Sequence, residues 1–402
     1  MVFDPRTPEF LADPYPALAE LRETTPVLHH EELERWFVTR HADVRACLRD
    51  RRLGRNFRHL GSEDEFTSET LDPRWAAFWE VERWSLLWLE PPDHTRIRKL
   101  VAAAFTPRSV EAMRAPAAHL AGELLDPLVE RGRFDLLYDF AQPYSIGLIC
   151  DWLGVPKDNH RDLLDWSHAM VKMYELDTTE EQAVTANAAA TAFRDYVLEL
   201  IAERRQTTRD DLVSGLVQAR VDGEHLSDAE IVSTVIVLLN AGHEATVNTL
   251  GNGVRALLEH RAEWDRLVDG SVSTTDAVEE LLRYDPPLQL FERWVLEDGV
   301  EVEGMEIPRG DKVALLFGAA NRDHRVFAAP DEFDVGRPDA GEHISFGGGI
   351  HVCIGAPLAR IELEASLRAL VDRCPGLELA GEPRRIPAFV IWGLEGLDVA
   401  AR

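Results

Sequence analysis

A chain of 402 residues with 45% hydrophobic and 28% charged residues has the balance of a globular protein with a large core, not of a disordered one. Its 43 Lys and Arg stand against 71 Asp and Glu, and the resulting formal charge of -28 has the wrong sign for sequence-independent attraction to nucleic acid or anionic lipid. No apolar run approaches the roughly 20 residues of a membrane helix, and the start Met1-Val2-Phe3-Asp4-Pro5-Arg6 lacks a secretory pattern. A cytoplasmic protein with no membrane or nucleic-acid partner is expected.

In chain order, strand-like patterning at 27–38 precedes helical periodicity at 108–132, 158–176, 180–205, 227–260, 262–268 and 275–284. Short strands follow at 291–306 and 312–317, then a helix at 356–373 and a last strand region at 388–399. No repeat or Pro/Gly/Ser linker divides the chain, so one domain over 1–402 is expected, mainly α with a minor β region. The β-rich lobe would come from about 27–60, 288–320 and 380–402, and the helical lobe from the rest.

Ser227 and Glu230 form a capping box ahead of the apolar run Ile231–Leu239, which marks the start of a helix running towards His260. At 1.5 Å per residue it would span roughly 50 Å and cross the molecule. Gly242, His243 and Glu244 in its apolar middle are costly for a purely structural core, so they ask for a functional reason. No second His follows Glu244 at metalloprotease spacing, which argues against a zinc site there.

Cys47, Cys150, Cys353 and Cys374 lie far apart without Cys-x-x-Cys pairing, which excludes a disulfide framework or a cysteine zinc site. Cys353 stands out because it lies in Phe346-Gly-Gly-Gly-Ile-His-Val-Cys-Ile-Gly355, directly before the helical pattern Ala356-Pro-Leu-Ala-Arg-Ile-Glu. A thiolate that binds metal needs nearby donors, and glycine-freed backbone N–H groups at a helix N-terminus supply them. This loop resembles the haem-binding signature of the cytochrome P450 family, F-x-x-G-x-H-x-C-x-G, with every defined position intact.

The resemblance implies the cytochrome P450 fold, with haem b (iron protoporphyrin IX) between the long central helix and the cysteine loop with its following helix. It makes Cys353 the iron ligand, packs Phe346 beside the sulfur with Gly347 and Gly355 shaping the loop, and puts His351 on a haem propionate. Thiolate ligation favours O–O cleavage over oxygen carriage. Glu280 and Arg283 resemble the family's E-x-x-R pair behind the loop; the same spacing recurs elsewhere in the chain, and position before Arg293 and Asn321–Asp334 singles this pair out. His94 and Arg98 match H-x-x-x-R, and they with Arg293 would bind the haem carboxylates through charge-assisted donors.

Ala241, Gly242 and Glu244 match the family's [AG]-G-x-[DE]-T in the central helix, but Ala245 stands where threonine is usual and Thr246 follows one place later. The resemblance gives the small pair the dioxygen groove and the acid a role in proton delivery. Three readings of the departure stay open: a water or substrate hydroxyl replaces the missing one, the helix distorts so that Thr246 reaches inward, or the chemistry avoids the relay. The aromatic stretch 63–92, with Phe66, Trp75, Phe78, Trp79, Trp84 and Trp88, together with Leu238, Leu288, Phe291, Val390, Ile391 and Trp392, supplies candidate pocket residues for an apolar or aromatic substrate.

Electrons from NAD(P)H would arrive through a separate ferredoxin and ferredoxin reductase, since no cysteine cluster is present. The basic run His94–Lys99, with Arg108 and Arg360, is the expected ferredoxin docking face. A monomer is expected. The leading expectation is a bacterial monooxygenase of specialised or catabolic metabolism; a coupling, cyclising or peroxide-driven catalyst and a non-catalytic haem sensor or scaffold are the alternatives.

Overall fold

The computed structural model describes residues 3–57, 72–176 and 178–401. Phe66, one of the pocket candidates, lies outside them. The central helix runs Asp228–Glu259 and opens on the expected capping box: the Glu230 carboxylate accepts from the Ser227 N–H at 2.8 Å, and the Ser227 hydroxyl accepts from the Glu230 N–H at 3.3 Å. Every residue from Glu230 to Asn240 is buried, so the helix passes through the core and does not lie on it. Gln142–Leu153, Arg114–Arg131 and Ala356–Arg373 pack around it in one large apolar cluster.

A five-stranded sheet lies to one side, in the order Val27–His30, Arg35–Val38, Lys312–Leu316, Leu290–Val295, Leu53–Gly54. Its one parallel pairing joins Arg35–Val38 to Lys312–Leu316. Alternation along Lys312–Leu316 sends Val313 and Leu315 into one apolar cluster and Ala314 and Leu316 into another, which shows a strand covered on both faces.

Several boundaries differ from the periodicity. The 108–132 stretch is two helices, Pro107–Glu111 and Arg114–Arg131, and 158–176 ends in a tighter turn at Lys172–Tyr174. The 291–306 region breaks after Val295, and Gly299, at a φ of 79°, leads into a separate hairpin, Val300–Val302 with Met305–Ile307. The C-terminal strands do not all join the β-rich side: Asp398–Ala400 pairs with Arg133–Asp135, and Leu394, Leu397 and Val399 pack into the helical cluster. Among the described residues, no helix is long and apolar enough to cross a membrane.

Glu280 and Arg283, both on the helix Thr274–Tyr284, are wholly buried and joined by two hydrogen bonds of 2.6 and 2.8 Å. Arg283 also donates to the carbonyls of Asn321 and Pro330, while Glu280 accepts from the Asp334 N–H and from Arg337. Asn321 in turn bonds Ser345 and the Ile344 N–H, immediately before the cysteine loop. Glu280→Gln is expected to lower unfolding free energy by about 3–5 kcal/mol, because it strands buried guanidinium charge; urea titration checks this, with Glu111→Gln, at the exposed Glu111–Arg114 pair of the same spacing, as the mild control.

Candidate active site

The cysteine loop is held in shape from several sides. The Cys353 N–H donates to the Phe346 carbonyl at 2.9 Å, and the Gly347 N–H donates to that of Ile344 at 2.8 Å. Gly347 and Gly349 sit at φ of 69° and 65°. A Cβ at Gly349 would drive into the Leu48 carbonyl, so this position is restricted to glycine by both backbone conformation and space. Arg360 lies 4.6 Å over the Phe346 ring and is fixed by Glu279 through bonds of 2.5 and 2.8 Å.

Cys353 is exposed, whereas Cys47, Cys150 and Cys374 are buried. Its thiol pKa is pushed up by the protein packed about it; the N–H groups of Gly355 and Ala356 and the charges of Arg98 and Arg360 work in the opposite direction. The expected thiolate-stabilising donors are therefore present, and coordination to a metal ion would deprotonate the thiol outright.

The residues expected to hold haem carboxylates gather around one point. His94 is 2% exposed, its Nε2 has no hydrogen-bond partner among the described residues, and its ring lies 4.5 Å from that of His351. Burial, aided by the His351 and Arg98 charges, holds its pKa down to about 4. Arg293, also 2% exposed, makes a single hydrogen bond among the described residues, to the Glu292 carbonyl at 3.0 Å. Burial, with Arg55 nearby, pulls its pKa down to about 9. An orphaned buried imidazole and a guanidinium with spare donors are costly unless an acidic group meets them, so these residues fit a bound dicarboxylate. His351 differs from the expectation in one respect: its Nε2 is engaged by Glu90 at 3.0 Å, so a haem carboxylate must share it with that acid or use the other nitrogen. Arg98 likewise donates to the Val352 carbonyl at 2.6 Å and ties its helix to the cysteine loop.

On the central helix, Ala241 and Ala245 are exposed in an otherwise buried stretch, and together they form an accessible strip of small residues one turn long. Gly242 beside them is half-buried. Thr246 is buried, and its hydroxyl donates to the Gly242 carbonyl at 2.9 Å on the side facing Glu362. The helix is continuous here, so the reading in which Thr246 turns inward is corrected: one residue of helix is about 100° of rotation, and the hydroxyl is spent on its own backbone. Burial raises the Glu244 pKa to about 7, against the pull of Lys172. Its Oε1 lies 3.2 Å from His168 Nε2, a neighbour on another helix that no local spacing could reveal.

The candidate pocket residues divide. Leu288, Phe291 and Ile391 are partly exposed, whereas Leu238 and Val390 are buried at 8% and 6% exposure. Trp392 is corrected to core: it is fully buried, its Nε1 donates to Asp285 at 2.7 Å, and Arg385 covers its ring. Trp84 packs against the main cluster. Trp88 donates to Glu82 at 2.5 Å and stacks with Arg55, which also covers Phe291 at 4.0 Å. The Glu175 carboxylate accepts the N–H groups of both Val390 and Ile391, at 3.1 and 2.9 Å. The basic run is also less free than its composition implies: Arg96 pairs with Glu230, and Lys99 with Asp222 at 2.5 Å.

The sequence profile described as Cytochrome P450 matches residues 156–270 and 272–382. Polyketide biosynthesis cytochrome P450 PksS of Bacillus subtilis (strain 168) is 37% identical, over 100% of this chain and 98% of that protein. The 6-deoxyerythronolide B hydroxylase of Saccharopolyspora erythraea is 38% identical, over 94% of this chain and 92% of its own length. A crystal structure of P450BioI in complex with hexadec-9Z-enoic acid ligated acyl carrier protein superposes with a TM-score of 0.91 at 33% identity, covering 98% of this chain and 99% of that one. The loop around Cys353, the buried cations and the full-length likeness lead to one conclusion: this chain belongs to the cytochrome P450 family, haem-dependent oxidoreductases.

Proposed function

We propose that the chain is a haem-thiolate monooxygenase in which Cys353 ligates the iron of haem b, while His94, Arg98, Arg293 and His351 hold its carboxylates. The observation that carries this reading is the buried Nε2 of His94, which has no hydrogen-bond partner among the described residues although it lies beside His351 and close to the Cys353 loop; the nearby acid, Glu90, bonds His351 and leaves His94 unmet. Bound there, haem b supplies dioxygen activation at an iron whose sulfur ligand favours O–O cleavage.

In this reading Glu244 is the acid of the oxygen side. Its pKa of about 7 keeps it protonated in mildly acidic solution and ready to give up the proton near neutrality, which suits a general acid. Ala241 and Gly242 leave room beside it, and Ala245 contributes a methyl where a hydroxyl would relay, so a water or a substrate hydroxyl completes the path. The exposed Ala245 methyl and the turned-away Thr246 also favour a second reading: oxidative coupling, or peroxide-driven oxidation, which needs no such relay.

The substrate is a small, largely apolar organic molecule lying against Leu288, Phe291 and Ile391. Support comes from the names of the relatives, which place them in polyketide biosynthesis and hydroxylation. NAD(P)H electrons arrive through a ferredoxin and its reductase, with exposed Arg108 and Lys99 on the docking face.

Reduced protein with carbon monoxide is expected to show the thiolate-type Soret shift, and Cys353→His to lose it; an unshifted band in the parent chain with haem bound overturns the assignment. Product formed per NAD(P)H should fall as pH rises through about 7, because Glu244 then gives up its proton, and Glu244→Gln should flatten that profile and cut coupled turnover roughly 100-fold or more. Ala245→Thr should raise coupling if proton delivery limits it; unchanged coupling with full activity favours the relay-free reading. Lys99→Glu combined with Arg108→Glu should weaken ferredoxin-driven turnover and flatten its salt dependence, as measured by stopped-flow reduction.

A further inference from the structure

His168, on the helix His160–Val171, and His243 and Glu244, on the central helix, bring one nitrogen or oxygen each to within 4.8 Å of one another. Both ring nitrogens of His243, a residue with no solvent exposure, lack a hydrogen-bond partner among the described residues. His168 Nε2 and Glu244 Oε1 are 3.2 Å apart, yet Oε1 also lacks a hydrogen-bond partner, because the two groups are not aligned as donor and acceptor. The two imidazole rings lie 5.6 Å apart. Two buried groups with unmet lone pairs, His243 and Glu244, that converge on a solvent-accessible imidazole describe a ligand set.

Two imidazoles and a carboxylate are the donors preferred by borderline-soft divalent cations, above all zinc. With bonds of 2.0–2.2 Å, ligand atoms around a tetrahedral zinc stand about 3.3–3.5 Å apart, so the His168–Glu244 span already suits it and His243 needs a small ring adjustment. His168 is 37% exposed at its side chain and gives a cation access from solvent, whereas Glu244 is only 15% exposed. Lys172, Asp165 and Arg161 also act on His168 electrostatically, two cations against one acid, so affinity must come from coordination and not from long-range attraction.

We infer that His168, His243 and Glu244 form an inhibitory site for a divalent cation of the zinc class, which reverses the expectation from local spacing because the second imidazole comes from another helix. Coordination displaces any carboxyl proton from Glu244 to solvent and commits the carboxylate to the metal, so the acid no longer delivers protons to the oxygen side. The inference rests on the reading of Glu244 as that acid.

The test uses the purified, haem-loaded chain equilibrated with zinc chloride, washed, and assayed for bound zinc by elemental analysis. The parent chain should retain one zinc that both His168→Ala and His243→Leu lose, while His119→Ala, which removes the exposed His119–Glu123 pair, retains it. Zinc should lower ferredoxin-driven product formation roughly tenfold or more in the parent chain, reversibly with chelator, and should not do so in His168→Ala. No retained zinc, zinc retained equally by His168→Ala, or bound zinc without loss of turnover overturns the inference. The zinc count requires no turnover, so it decides the site even if the monooxygenase reading fails; the carbon monoxide spectrum of each variant reports whether the haem pocket is intact.

Discussion

A carboxylate and a guanidinium taken wholly out of water are stable only if their lone pairs and N–H groups are met, and Glu280 with Arg283 approaches this by recruiting backbone groups of Asn321, Pro330 and Asp334 from one distant stretch. The demand fixes the path of residues 321–334 against the helix Thr274–Tyr284. Asn321 passes that order to Ser345 and Ile344, which launch the cysteine loop. The position of Cys353 is thus the last consequence of a buried charge some way behind it.

Legibility in the sequence followed the number of neighbours needed to define a feature. The central helix was legible because its cap and apolar run are local, and Ala356–Arg373 because a glycine-rich loop and Pro357 announce it. Gln142–Leu153 was not, since burial on nearly all sides erases the polar stripe that marks a helix. The proposed haem anchors could be named from the sequence because the family motifs they resemble combine particular residue types at particular spacings. Pocket residues were not: Trp392 and Phe291 are both apolar rings near strand ends, and only tertiary partners such as Asp285 decide which one is core.

The central helix combines both cases. Glu244 announces itself as an acid in an apolar run, but its pairing with His168 depends on how two helices cross. The departure at Ala245 was visible at once, whereas its meaning turned on Thr246, whose hydroxyl the structure returns to the helix backbone. A shift of one position in sequence is a change of face in space, and for that reason the neighbouring threonine does not stand in for the missing one.

Glu175 joins two parts of the molecule through a single side chain, by capping consecutive amides of the 390–391 turn from the end of the segment that carries His168. Withdrawing that carboxylate leaves two main-chain donors unmet together, at about 1–3 kcal/mol each. The turn beside Leu288 and the end of the segment at Tyr174 are therefore held together by one side chain, and separating them releases both amides in the same event.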